Sequence, residues 1–248
     1  MKNAFPLIFF VTLCSLISCN KEISDKNCGS ASYVFPSSDK YIDLGHPEKV
    51  DVLQIPEKIL KRMCTDALID TYLNYPILYP TIFAYNSSTM GITQVSEEFN
   101  GLAELVQRDD SGDLLLLKYI SINPKDINNE EWTDLEENSF RNNLRFIELT
   151  LVFEPILNKL THQQRVNAIK TGLQQLEIKE SSTYSPYYFK NVSIWTNFYL
   201  VIKILETEKY QPFIEYITNS DEFFKYFLGG HLNFCPTEAE RLDRKSVV

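Results

Sequence analysis

The chain has 248 residues, 33 acidic against 24 basic, for a formal net charge of −9 at pH 7. That balance argues against nucleic acid or anionic lipid as the main partner, since both call for a basic footprint. Sixteen Phe, 14 Tyr and 2 Trp supply apolar material for one sizeable core, while only eight Gly and few alternating apolar runs argue against a sandwich or barrel.

The amino terminus reads as a targeting segment. Lys2 is followed by an apolar run from Phe5 to Leu13, too short to cross a bilayer, which takes about 20 apolar residues. The run closes on Leu16-Ile17-Ser18-Cys19, which resembles the lipobox of bacterial lipoprotein signal peptides. The resemblance implies cleavage after Ser18 and a lipid on Cys19; the rival Cys14 follows the bulky Leu13. Loss of residues 1–18 removes only Lys2 among the charged residues, so the 24 basic residues become 23 against 33 acidic, a net of −10. Asn20, second after cleavage, resembles an outer-membrane sorting position, and Lys21, Glu22 and Asp25 faintly resemble cell-surface export signals, so either membrane face is open.

Residues 19–50 are rich in Ser, Asp, Lys and Asn without a sustained apolar period, and are expected to form a flexible tether with a mean span of roughly 30 Å. A helical domain is expected over 51–240, preceded by a short extended segment near 50–55, with a frayed tail at 241–248. With Cys14 cleaved and Cys19 lipidated, three cysteines remain, Cys28, Cys64 and Cys235, which allows at most one internal disulfide. Cys64 and Cys235 read as small buried hydrophobes; Cys28, in the tether, does not fit that reading.

Helical signals dominate the rest. Pro56 opens a short helix through KILKRM. Thr65 is placed to cap a second, whose apolar face is Leu68, Ile69, Tyr72 and Leu73. Tyr75-Pro76 stops it, and Ile77 to Asn86 reads as a packed turn region around Pro80. Ile92, Val95, Phe99, Leu102 and Val106 form one helical stripe, with a break or kink expected at Asn100-Gly101. Another helix runs from Leu114 to Ile122. The acidic stretch 126–138 is expected to be pinned to the surface by Trp132 and Leu135. Phe140 to Leu157 is apolar almost all round near its end, which predicts a buried central helix bent or ended by Pro155. Thr161 and Gln164 form a capping-box pattern ahead of a helix facing inward through Val166, Ile169, Leu173 and Leu176. A loop at 181–190, an apolar helix from Trp195 to Leu205, and two short aromatic helices ending at Gly229-Gly230 complete the chain. The whole predicts an all-α fold, either a multi-helix bundle or a stack of α-hairpins.

The segments PEKILKRMCTDALIDTYLNYP (56–76) and SEEFNGLAELVQRDD (96–110) resemble a pattern that recurs in uncharacterised exported bacterial proteins. The resemblance implies a helical module on exported proteins and carries no activity or site residue.

Chemistry is sparse. His231 and Cys235 are four apart, but the flanking Gly229-Gly230 and Pro236 disfavour the helix that would bring them together, and further ligands among Cys28, Cys64, His46 and His162 are distant in sequence. Cys64 reads as a buried thiol rather than a nucleophile. The acidic pairs 97–98, 130–131 and 136–137 point apart on a helix and read as solvated faces. No phosphate-binding glycine loop, nucleophile elbow or zinc-protease motif is present, and no cofactor is implied. The binding candidates are the loop aromatics Tyr184, Tyr187, Tyr188 and Phe189, with Trp195 shortly after; such rings offer contact area to a sugar or protein partner, or else cover the adjoining core. The expectation is a lipid-anchored envelope protein of the outer membrane or cell surface whose helical domain binds. The alternatives are an envelope hydrolase without a recognisable motif and a carbohydrate-binding lipoprotein.

Overall fold

In a computed structural model of the chain, the described residues are 28–128, 130–181, 192–219, 225 and 227–231. Among them are twelve α-helices and no sheet, so the fold is all-α. The first helices are α1 (His46–Val52), α2 (Glu57–Leu60), α3 (Thr65–Leu73), α4 (Leu78–Phe83), α5 (Ser88–Glu98), α6 (Asn100–Gln107) and α7 (Ser111–Ser121). They are followed by α8 (Asp134–Leu151), α9 (Glu154–Leu157), α10 (His162–Glu180), α11 (Val192–Thr207) and α12 (Gln211–Thr218).

Helix α8 is the hub. Its C-terminal half is buried on every side from Phe146 to Leu151, as its sequence predicts. It touches α3, α5, α7, α9 and α11, elements drawn from both halves of the chain. In a stack of hairpins each unit touches only its neighbours, so this is a bundle around a central helix. The start of α8 lies six residues earlier than the apolar pattern shows. Thr133 caps it, with the Glu136 carboxylate returning a bond from the Thr133 backbone N–H. Trp132 is pinned on Phe140, their ring centroids 5.2 Å apart, whereas Leu135 is 74% exposed. Pro155 sits in the first turn of α9, where its missing N–H costs nothing, and the break falls before it at Val152-Phe153.

The capping box at Thr161 and Gln164 forms as its spacing predicts. Thr65 is not a cap: Cys64 occupies that position, and the Thr65 hydroxyl donates across to Asp110 Oδ1 at 2.8 Å. The segment expected as a turn around Pro80 contains α4, since proline in a first turn removes only an N–H that has no helical partner. The break before Gly101 is realised at Phe99, whose extended backbone separates α5 from α6.

The larger correction concerns residues 19–50. From Cys28 onward the expected tether is docked on the domain. Cys28 and Cys64 form a disulfide, Gly29 pairs with the turn after α2, and the Tyr33 N–H donates to Thr71 Oγ1 at 2.9 Å. Tyr33, Phe35 and Tyr41 pack on the core, Phe35 against Tyr75 and Phe99. Cys64 is therefore a disulfide partner and not a free buried thiol. The segment near 50–55 is helical through Val52. Ile55 lies outside any helix, its N–H donating to and its C=O accepting from the Asn100 side chain at 3.0 and 2.7 Å.

Candidate functional site

Among the described residues, polar groups gather at a buried junction of three helices and at a cleft, and burial separates the two. The first lies where α8, α10 and α11 meet. The inward stripe of α10 is Ala168, Gly172, Gln175, Leu176 and Lys179, rotated from the expected apolar face, and Leu173 stands partly in water. Gly172 allows the rotation: a Cβ there would lie 2.8 Å from Val201 Cγ2, so α11 approaches over its missing side chain. The Lys179 ammonium then meets the Glu148 carboxylate at 2.5 Å, and Thr196 donates to the other carboxylate oxygen. Beside them Asn197 donates to the Tyr119 hydroxyl and the Gly172 carbonyl at 3.0 and 3.1 Å, and Gln175 donates to the carbonyls of Tyr119 and Ile122.

Burial pushes the Glu148 carboxyl up and the Lys179 ammonium down, each opposed by the partner's charge. Burial also raises the Tyr119 phenol well above its ordinary value, reinforced by the charge of Glu148. Gln175 Oε1 and Asn197 Oδ1 are buried without a hydrogen-bond partner. Every side chain of this cluster is at least 97% buried. Substrate has no access to it, so its role is to join three helices.

The second place is a cavity of about 380 Å³ between α1 and α4. Its wall is Ile77, Pro80, Thr81, Ala84 and Tyr85, from α4 and the residues that flank it. Opposite stand His46 and Lys49, three apart on α1. The first turn of α1 holds Pro47 and Glu48, a proline and an acid where a helix start favours both. His46 Nε2 is hydrogen-bonded to Glu98 Oε2 at 2.9 Å, which ties α1 to the end of α5. Gln94 donates to the other oxygen of that carboxylate, and Gln54 donates to the Glu98 carbonyl. Lys49 enters no ion pair among the described residues. The hydroxyls of Thr81, in this wall, and of Tyr75 are buried without partners; burial, and then the charge of Glu98, raises the Tyr75 phenol.

The cavity falls in the lower part of the range of about 300–1,000 Å³ over which small-molecule sites are found. Its residues supply an apolar face, one unpaired ammonium and an imidazole held by a carboxylate. Among the described residues, no thiol, serine or carboxylate lines it. That set is suited to holding an apolar molecule with a negative group.

The residues singled out in the sequence fare differently. Cys19, Tyr184, Tyr187, Tyr188 and Phe189 lie outside the described residues, as does Cys235. Trp195 is 3% exposed and packs edge-on against Phe198 and Phe227, so it belongs to the core and not to an exposed aromatic platform. His231 Nδ1 lies 3.0 Å from the Asn86 carbonyl. Among the described residues no three His, Cys, Asp or Glu side chains are grouped as metal ligands. His46 and Lys49 were missed because the polar stretch around them lacks an apolar period; the Gly-His-Pro-Glu helix start was the available signal.

No family model matches the chain, and neither a curated protein nor a solved structure does. The fold and the cavity therefore define it as an all-α, multi-helix protein with a small half-apolar, half-cationic cleft.

Proposed function

We propose that this chain is a lipid-anchored protein of the bacterial cell envelope, held at the outer membrane through Cys19, whose helical domain binds and does not catalyse. The observation that carries the reading is the Cys28–Cys64 disulfide, nine residues beyond the lipobox cysteine. Disulfides persist in exported proteins and are rare in the reducing cytosol. The bond thus agrees independently with the export signal at Leu16-Ile17-Ser18-Cys19. The ligand class that suits the cleft between α1 and α4 is a small apolar anion, its negative group on Lys49 and its body along Ile77, Pro80 and Ala84.

Cys19→Ala in the full chain tests the anchor. The expected result is loss of the lipid adduct from the intact mass and release from the membrane fraction; a variant that stays acylated and membrane-bound refutes it. The cleft is tested by titrating the purified protein with octanoate. Saturable binding weakened at least fivefold by Lys49→Gln is expected, and equal binding by both proteins refutes the assignment.

A further inference from the structure

The disulfide changes where the domain must sit relative to its anchor. Residues 56–64, Pro-Glu-Lys-Ile-Leu-Lys-Arg-Met-Cys, hold Lys58, Lys61 and Arg62 against the single acid Glu57, a net of +2 in a chain of net −9. All three cations are exposed, and Ile59 between them is 44% exposed, a large apolar side chain turned to water. Lys58 and Arg62 enter no ion pair among the described residues. Lys61 reaches Glu104 at 2.5 Å. Burial raises the Glu104 carboxyl, but Lys61 and Arg108 together hold it below the ordinary carboxylate range, so this acid is occupied. The next acid along the chain, Asp66, accepts the Ala67 N–H at the start of α3.

This basic turn is also the point at which the N-terminal arm is fastened. The Gly29 N–H donates to the Arg62 carbonyl at 2.6 Å, the Cys64 N–H donates to the Gly29 carbonyl at 2.9 Å, and the disulfide closes the junction. From Cys19 to Cys28 is 28 − 19 = 9 residues. At about 3.3–3.6 Å per residue such a length reaches at most about 32 Å. A lipid on Cys19 therefore keeps the junction, and the cations on it, within one short leash of the headgroups.

We propose that the turn Glu57–Met63 is a membrane-contacting surface, seating Lys58 and Arg62 on anionic phospholipid headgroups with Ile59 inserted between them. The proposal rests on the anchor reading above for its geometry. It needs little intrinsic affinity. The net charge of the chain opposes free binding to an anionic surface, whereas a tethered patch works at high effective concentration, and one lipid signal plus a basic patch is an effective pair. It also sets the orientation of the molecule, with the α2 end down.

The test has two arms. In the first, the full chain carrying Cys19→Ser, which receives no lipid, is sedimented at low salt with phosphatidylglycerol vesicles, alongside the same chain carrying also Lys58→Gln and Arg62→Gln. Both added substitutions replace exposed side chains, and unchanged thermal unfolding checks the fold. Loss of each cation is expected to lower partitioning roughly fivefold, about 25-fold for the pair; partitioning equal within twofold overturns the proposal. In the second arm the lipidated chain is reconstituted into phosphatidylcholine vesicles with or without phosphatidylglycerol, and acetylation of Lys58 is followed by mass spectrometry. Slowing of at least threefold in the anionic vesicles supports the surface, and equal rates on vesicle-bound protein overturn it while leaving the anchor intact. An intact mass without lipid overturns the anchor reading instead, and the first arm then decides the surface alone.

Discussion

Lys179 Nζ lies 2.5 Å from Glu148 Oε1 with both side chains wholly withdrawn from water, 31 residues apart in sequence and on helices that flank α11. A buried pair of this kind is costly to form and costlier to break, because removal of one partner strands the other charge. Lys179→Met is expected to lower stability by about 3–5 kcal/mol. Glu148→Leu combined with Lys179→Met is expected to cost less than either single change. Urea unfolding of the three variants checks this; singles that add up to the double would show that the two groups are uncoupled.

The disulfide closes a loop with a sequence separation of 36, and the chain-entropy argument gives about 3–4 kcal/mol for a loop of that size. Cys28→Ser, or reduction of the native protein, is expected to lower the urea midpoint accordingly. The same change should raise amide exchange at Tyr33, whose N–H is bonded to Thr71. An unchanged midpoint would mean that the aromatic contacts of the arm hold it without the bond.

Helices α4 and α5 approach over Gly91. A Cβ there would stand 2.2 Å from the Ile82 carbonyl oxygen and 2.6 Å from the Ile82 Cα, backbone atoms that cannot swing aside. Gly91→Ala is expected to cost about 3 kcal/mol or more, at or beyond the top of the usual overpacking range. Thermal unfolding reads it directly. Because α4 forms one wall of the cleft, octanoate binding should weaken in parallel.

Glu208 is one of the carboxyls on which acid stability depends. Burial raises its carboxyl, but the Arg165 hydrogen bond and then that of His162 outweigh this and hold it below the ordinary 4.5. A folded pKa below the unfolded one contributes stability that is present above 4.5 and lost as pH falls through the folded value. Glu148 acts with the opposite sign: its raised carboxyl contributes below 4.5 and loses that contribution as pH rises. Comparing wild type with Glu208→Gln cancels Glu148 and isolates Glu208. The variant is expected to lose less stability than wild type on acidification below 4.5, and parallel curves would refute the assignment.

Much of the helical framework was legible locally. Period and caps are properties of residues three or four apart, so the α5–α6 stripe, the break before Gly101, the Thr161–Gln164 box and the buried end of α8 could be read directly. The Thr133–Glu136 box was equally local, but it was hidden inside an acidic run without apolar period. Half of the cleft was legible in principle, since Ile77, Pro80 and Ala84 lie in or beside α4 once that helix is recognised. The other half was not, because nothing near His46 or Lys49 says that α1 folds back over α4.

Neighbours in the chain carry the all-α class, the α5–α6 stripe, the Thr161 cap and the lipobox resemblance, whereas α1, α4 and both boundaries of α8 escaped the local pattern. Contacts across the fold set which cysteine meets Cys64, dock residues from Cys28 onward on the domain, bury Trp195 in the core and turn Lys179 of α10 inward. Each of these depends on what another helix presents across a gap: a thiol, an aromatic face, a carboxylate, or the bare backbone of a glycine. A polar side chain at a given period reads as solvent-facing until its partner is known. Lys179 is buried because Glu148 and Thr196 await it there, and no local pattern around it carries that information.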